Sequence, residues 1–189
     1  MNATLCWFAS AMADENAEIA RGLRRRDPDL LDRLIEKYQH RLLRYLVHLT
    51  GRRDLAEDAF QETWVRVLER GRQYDGRREF ATWLFAIARN LVFDQARRRR
   101  PTDTDLKEQP ASSDASALDA AITRERQEQI TLAMQRIAPE HRETLVLRFQ
   151  EEMSLDEIAS VTGAPLSTVK SRLYRGLAAL TPWVKGAGL

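Results

Sequence analysis

Ser154–Leu180, SLDEIASVTGAPLSTVKSRLYRGLAAL, decides the architecture of the C-terminal part of this chain. Two helical runs flank a short break at Gly163-Ala164-Pro165. Ala159 is small enough for two helices to approach, Gly163 can supply the turn, and Val169 can plug the second helix back onto the first. That spacing is a helix-turn-helix, whose second helix is placed to enter a DNA major groove. In this second helix Leu166, Val169, Leu173, Leu177 and Leu180 recur at helical intervals and are expected to face inward. Ser167, Thr168, Lys170, Ser171, Arg172, Tyr174 and Arg175 are left outside. Lys170 and Ser171 lie on the early turns, where base edges are reached, while Arg172 and Arg175 suit phosphates or a guanine edge.

Working outward, the 189 residues allow one large or two small domains. Gly and Pro are sparse (8 and 6) and alternating β-branched runs are nearly absent, which predicts an all-α chain. The fold class expected is two small helical domains joined by a flexible acidic linker, the C-terminal one carrying the helix-turn-helix. A single cysteine, Cys6, excludes an internal disulfide and a multi-cysteine metal site, and fits a reducing cytoplasm. No apolar run is long enough to span a bilayer, so no membrane insertion is expected. The opening MNATLCWFASAM has a short apolar patch but no basic start, and acidic residues follow it, which argues against export. Residues 1–18 are expected to be a disordered tail.

From 19 to 100 the pattern is helical almost throughout. Leu30, Leu31, Leu34, Ile35 and Tyr38 form a stripe that Leu42, Tyr45, Leu46 and Leu49 extend. Gly51-Arg52-Arg53 breaks it, and Asp54 is the expected N-cap of the next helix. Residues 101–118, PTDTDLKEQPASSDASAL, carry few large apolar groups and cannot bury a core, so they are expected to be a mobile linker. Helical periodicity returns over 119–185.

Two helix faces in the first domain carry information. On a wheel of Asp54–Arg70, Ala56, Phe60, Thr63, Trp64 and Val67 gather inward. Asp58, Gln61, Glu62, Val65 and Glu69 gather on the other side, a face suited to a basic protein partner, although a plain solvated face is the ordinary explanation. In Phe80–Arg100 the inward stripe is Phe80, Leu84, Ile87, Ala88 and Leu91. Outward lie Thr82, Trp83, Ala86, Arg89, Asn90, Phe93 and Arg97. Aromatic rings beside cations suit bases that have left the duplex, unless Trp83 and Phe93 pack against neighbouring helices. The preceding loop, Arg72-Gln73-Tyr74-Asp75-Gly76-Arg77-Arg78, adds cations and a ring where a flipped base can be held. The run Arg97–Arg100 exceeds what a helix C-terminus requires and suits phosphates.

These segments resemble the bacterial sigma-70 family, and within it the extracytoplasmic-function (ECF) group. DLAEDAFQETWVRVLER (Asp54–Arg70) is similar to that family's core-polymerase-binding helix. FATWLFAIARNLVFDQARRRR (Phe80–Arg100) resembles its −10 segment. APEHRETLVLRFQEEMSLDEIASVTGAPLSTVKSRLYRGL (Ala138–Leu177) resembles its −35-binding domain. The resemblance implies a cytoplasmic initiation factor that binds core RNA polymerase, reads −35 and −10 promoter elements and melts the latter, serving a stress-responsive gene set. It assigns Asp58, Gln61 and Glu62 to the polymerase, and Tyr74, Arg77, Arg78, Trp83, Arg89, Asn90 and Arg97 to the −10 region. Ser167, Thr168, Lys170, Ser171, Arg172, Tyr174 and Arg175 would read the −35 element. An anti-sigma factor is the further partner implied. No cofactor or metal is expected and no catalytic residue: His40, His48 and His141 are scattered, and there is no HExxH or Gly-rich phosphate loop. The alternative, a stand-alone helix-turn-helix regulator binding an operator, leaves the first domain unexplained.

Overall fold

The computed structural model describes residues 3–98, 134 and 136–186, with side chains in the first and last helices described from Ala13 and up to Pro182. The described residues are helical with no strand, and the chain divides into two compact units, one N-terminal and one C-terminal. The expected linker, 101–118, lies outside the described residues.

The N-terminal unit holds four α-helices: α1 (Ala3–Arg25), α2 (Pro28–Thr50), α3 (Arg53–Arg70) and α4 (Phe80–Arg98), with a 3₁₀ turn at Gly71–Gln73. Sequence chemistry sets the boundaries of α2. The Asp27 carboxylate accepts from the amides of Asp29 (3.1 Å) and Leu30 (3.3 Å), Pro28 occupies the first turn, and Gly51 closes the helix in the left-handed region at φ 65°. Helix α3 begins differently from expectation. Its N-cap is Arg52, and Asp54 lies in the first turn, bonded to the Arg52 guanidinium at 3.1 and 2.5 Å. The carboxylate therefore pairs with the arginine instead of bonding a backbone amide as a cap, and still complements the positive end of the helix.

Helices α2, α3 and α4 pack on one another around Leu34, Leu42, Tyr45, Leu46, Ala59, Val67, Leu84, Phe85 and Leu91, all buried. The expected inward stripe of α4 is buried in full; Phe85, opposite Tyr45 at 4.9 Å between ring centroids, joins it.

Against the disordered tail expected over 1–18, residues 3–18 are helical as the start of α1, which packs against α2 and the 3₁₀ turn. Ile19, Ala20 and Leu23 are buried on one face of α1, and burying that face supplies what an isolated helix lacks. Gly22 lets α2 approach, because a Cβ there would stand 2.3 Å from Leu30 Cδ2. An ion pair from Glu15 to Lys37 (2.6 Å) ties the outer edge.

The C-terminal unit contains α5 (Pro139–Leu145), a π-helical turn (Val146–Gln150), α6 (Leu155–Thr162) and α7 (Leu166–Gly186). Pro139 opens α5. Leu145, Val146 and Leu147 are buried, but Phe149, two residues on, is 59% exposed. The wider turn holds an extra residue and rotates Phe149 away from the buried side. Ser154 and Glu157 form a reciprocal capping box at the start of α6, and Gly163 (φ 68°) ends it. Helices α5 and α7 pack together at Gly176, where a Cβ would lie 2.9 Å from Leu145 Cδ1. Leu177, expected inside, is 38% exposed, because the glycine beside it takes the closest approach.

Candidate polymerase and nucleic-acid interfaces

Helix α3 turns its small and aromatic residues inward and its acidic side out. Ala56, Ala59, Thr63, Trp64 and Val67 are buried, and the Thr63 hydroxyl donates to the Ala59 carbonyl at 2.6 Å. Asp58, Gln61, Val65 and Glu69 are exposed, and Glu62 is half-buried, accepting from Arg66 at 3.1 Å. The exposed strip is thus acidic and amide-bearing around the uncovered Val65, a surface that attracts cations and repels phosphate.

The loop from Gly71 to Glu79 rests on a cluster of rings. Tyr74 lies edge-on to Phe80 at 5.5 Å and tilted on Trp83 at 5.2 Å, and Phe80 in turn meets Tyr38 at 5.5 Å. Tyr74 is only 2% exposed; its hydroxyl faces the Arg78 carbonyl at 2.6 Å and the Asn16 side-chain oxygen at 3.0 Å. Burial, followed by the neighbouring Glu79 carboxylate, raises its phenol well above the ordinary range. Arg72, Arg77 and Arg78 project outward, and Asp75 bends the loop by accepting from the Arg77 amide at 3.0 Å.

Helix α4 continues this surface. Asn90 is exposed, and the Arg89 guanidinium lies 4.3 Å from the ring centroid of Phe93, itself 44% exposed. Arg97 is exposed and bonded to Asp94, which holds the Asp94 carboxyl below its ordinary range. In the other unit, α7 buries Val169 and Gly176 and exposes Ser167, Lys170, Ser171, Tyr174 and Arg175; Thr168 and Arg172 are half-buried. Tyr174 is 71% exposed. Hydroxyls, one amine and one guanidinium therefore share an uncovered helix face, the chemistry that reads base edges and phosphates.

Comparison with known proteins agrees with this division. The family model for sigma-70 region 2 matches residues 34–102, and that for sigma-70 region 4 matches residues 127–180. The ECF RNA polymerase sigma factor SigL of Mycobacterium tuberculosis is 32% identical over 80% of this chain and 86% of its own length. The chain belongs to the sigma-70 family, in its ECF group. The ECF sigma factor SigW of Bacillus subtilis is 28% identical over 82% of this chain and 88% of its own. Among solved structures, the sigma factor RpoE of Bartonella quintana, determined with the anti-sigma factor NepR, shares the fold. Its TM-score is 0.67 at 23% identity, covering 82% of this chain and 96% of that one.

Within this sigma factor, α3, the Gly71–Glu79 loop and α4 fall inside region 2, and α5 to α7 inside region 4. Two expectations for the −10 surface are corrected. The Tyr74 ring is packed under the loop, so no base can stack on it as it stands, and Thr82 is buried at 3% exposure. Trp83 is half-buried and leans on Tyr74 and Phe80. Arg77 and Arg78 of the loop and Arg97 of α4 are exposed as expected, whereas Arg89 is half-buried over the Phe93 ring. Helix α1 begins 31 residues before the region 2 match, at Ala3 against residue 34, and its Asn16 contact with the loop carries no local signature in the sequence. Among the described residues no helix is long and apolar enough to cross a membrane, and no group of acidic, His or Cys side chains could hold a metal ion.

Proposed function

We propose that this sigma factor directs core RNA polymerase to promoters through three surfaces. The acidic face of α3 (Asp58, Gln61, Glu62) takes the polymerase. The loop arginines Arg77 and Arg78, with Trp83, Arg89, Asn90 and Arg97, hold the −10 region once its bases leave the stack. Ser167, Thr168, Lys170, Ser171, Arg172, Tyr174 and Arg175 of α7 read the −35 duplex. The observation that carries this reading is the segregation of charge: phosphate-repelling carboxylates on α3, and cations on the loop, α4 and α7. The factor contributes sequence choice and melting, leaves phosphodiester chemistry to the polymerase, and works in the cytoplasm, where both lie. The relative solved with NepR supports an anti-sigma partner for this chain too.

Run-off transcription on a promoter library with sigma-free core polymerase tests the proposal. Asp58→Arg/Gln61→Arg is the informative variant, because both side chains are exposed whereas Glu62 is paired with Arg66. Transcripts from a distinct promoter set, abolished by that double change, are expected. Specific duplex binding by the protein alone, with no association with core polymerase, would replace the proposal with the operator-binding regulator.

A further inference from the structure

The loop that presents Arg77 and Arg78 does not hold itself. Its middle and its far end converge on one side-chain atom of α1. The Asn16 Oδ1 lies 3.0 Å from the Tyr74 hydroxyl and accepts from the Phe80 amide at 3.3 Å. At the first contact the Tyr74 hydroxyl, whose one proton is shared with the Arg78 carbonyl at 2.6 Å, brings the loop against Asn16. The second satisfies an amide of the first turn of α4, which intrahelical bonds leave without a partner. The turn itself lies on the same stretch of α1. Gly76 has φ +76°, and a Cβ there would stand 3.0 Å from the Asn16 carbonyl oxygen and 3.4 Å from Ala17 Cα. Gly71, at the start of the loop, lies against Leu23, where a Cβ would come within 3.1 Å of Leu23 Cβ. Three points of the loop are therefore gauged against Asn16–Leu23, a segment that precedes the region 2 match.

We infer that Asn16 is a positioning residue for −10 recognition, setting through its oxygen the height and orientation at which the Tyr74–Arg78 loop meets an unstacked base. The inference rests on the reading of that loop as part of the −10 surface. A group that merely stabilised the fold would change transcription from every promoter in proportion. A group that sets loop geometry changes the ratio between promoters that differ in a −10 base, because a displaced donor loses discrimination before it loses affinity.

The test uses holoenzyme reconstituted from the full chain and sigma-free core polymerase, on promoters differing at single −10 positions, well below the melting temperature of each variant. Asn16→Leu removes the acceptor while keeping the number and branching of side-chain heavy atoms, and should lower the −10 discrimination ratio by about three- to tenfold. Core affinity and −35 discrimination should stay at the wild-type level. Asn16→Asp keeps an oxygen acceptor in the same place and should restore the ratio. Hydrogen exchange at the Phe80 amide should quicken in Asn16→Leu and recover in Asn16→Asp. An undiminished ratio in Asn16→Leu, alongside a lost ratio in Arg78→Ala, overturns the inference and spares the loop reading. An undiminished ratio in both variants overturns the loop reading, and the inference with it. If Asn16→Leu does not fold, Gly76→Ala lifts the turn off α1 with Asn16 in place. It should cause the same loss, and a wild-type ratio there overturns the inference.

Discussion

The two surfaces proposed to face DNA in this sigma factor are built by opposite means. In the C-terminal unit the surface is one face of a regular helix, and its supports are local. Ser154 and Glu157 cap α6, Gly163 turns the chain, and Val169 and Gly176 seat α7. In the N-terminal unit the surface is a loop followed by a helix start, held from beneath by rings and from the side by a helix some sixty residues earlier. A helix face keeps its geometry wherever the helix forms. A loop keeps its geometry only while its distant supports are in place.

Core deletion should break the comparison most strongly. Phe85 is fully buried against Tyr45, so Phe85→Ala is expected to cost about 3–5 kcal/mol in the N-terminal unit. Hydrogen exchange on the full chain should show faster exchange across α2–α4, and permanganate reactivity of −10 thymines should fall in the holoenzyme. Equal acceleration in α5–α7 would show that the two surfaces are not separately supported. Next comes Gly176→Val, which drives a branched side chain into Leu145 and should cost about 1–3 kcal/mol. Here −35 discrimination should fall while exchange in α2–α4 stays unchanged. Ser154→Ala removes half of the capping box and should cost about 1 kcal/mol, seen as faster exchange in the first turn of α6.

Acid sharpens the comparison least. Arg52 and Arg97 hold the carboxyls of Asp54 and Asp94 below their ordinary range by hydrogen bonding. A folded pKa below the unfolded one gives stability that is complete above the ordinary carboxylate range and is lost as pH falls through the depressed values. Because both pairs lie on the surface, the drop in melting temperature below about pH 4 should be small and should shrink further in high salt.

Periodicity made the regular surfaces legible. The exposure of Ser167, Lys170, Ser171, Tyr174 and Arg175 on α7, and of Asp58, Gln61, Val65 and Glu69 on α3, follows from helical spacing, whereas Thr168, Arg172 and Glu62 are half-buried. What spacing could not supply is any contact made across a long stretch of chain. Tyr74 reads as an aromatic in a basic loop, and only the α4 rings and Asn16 explain why it is buried. Asn16 sits among Asp14, Glu15 and Glu18 and looks like one more solvated position. Glycine marks a turn at Gly163, yet Gly176 serves close approach and leaves Leu177 outside. Thr82 departs from its expected face, and Phe85 is buried as well, because α4 is covered on more than one side, by α2 and α3 together.

The Asn16 contacts also put a clock on the birth of the protein. The residue is separated from Tyr74 by 58 positions and from Phe80 by 64. At the usual pace of translation, the ribosome delivers Phe80 roughly 3–13 seconds after Asn16. Throughout that interval Leu23 and the asparagine oxygen wait for their partners in the Gly71–Glu79 loop and α4. Slow codons between these positions lengthen the wait.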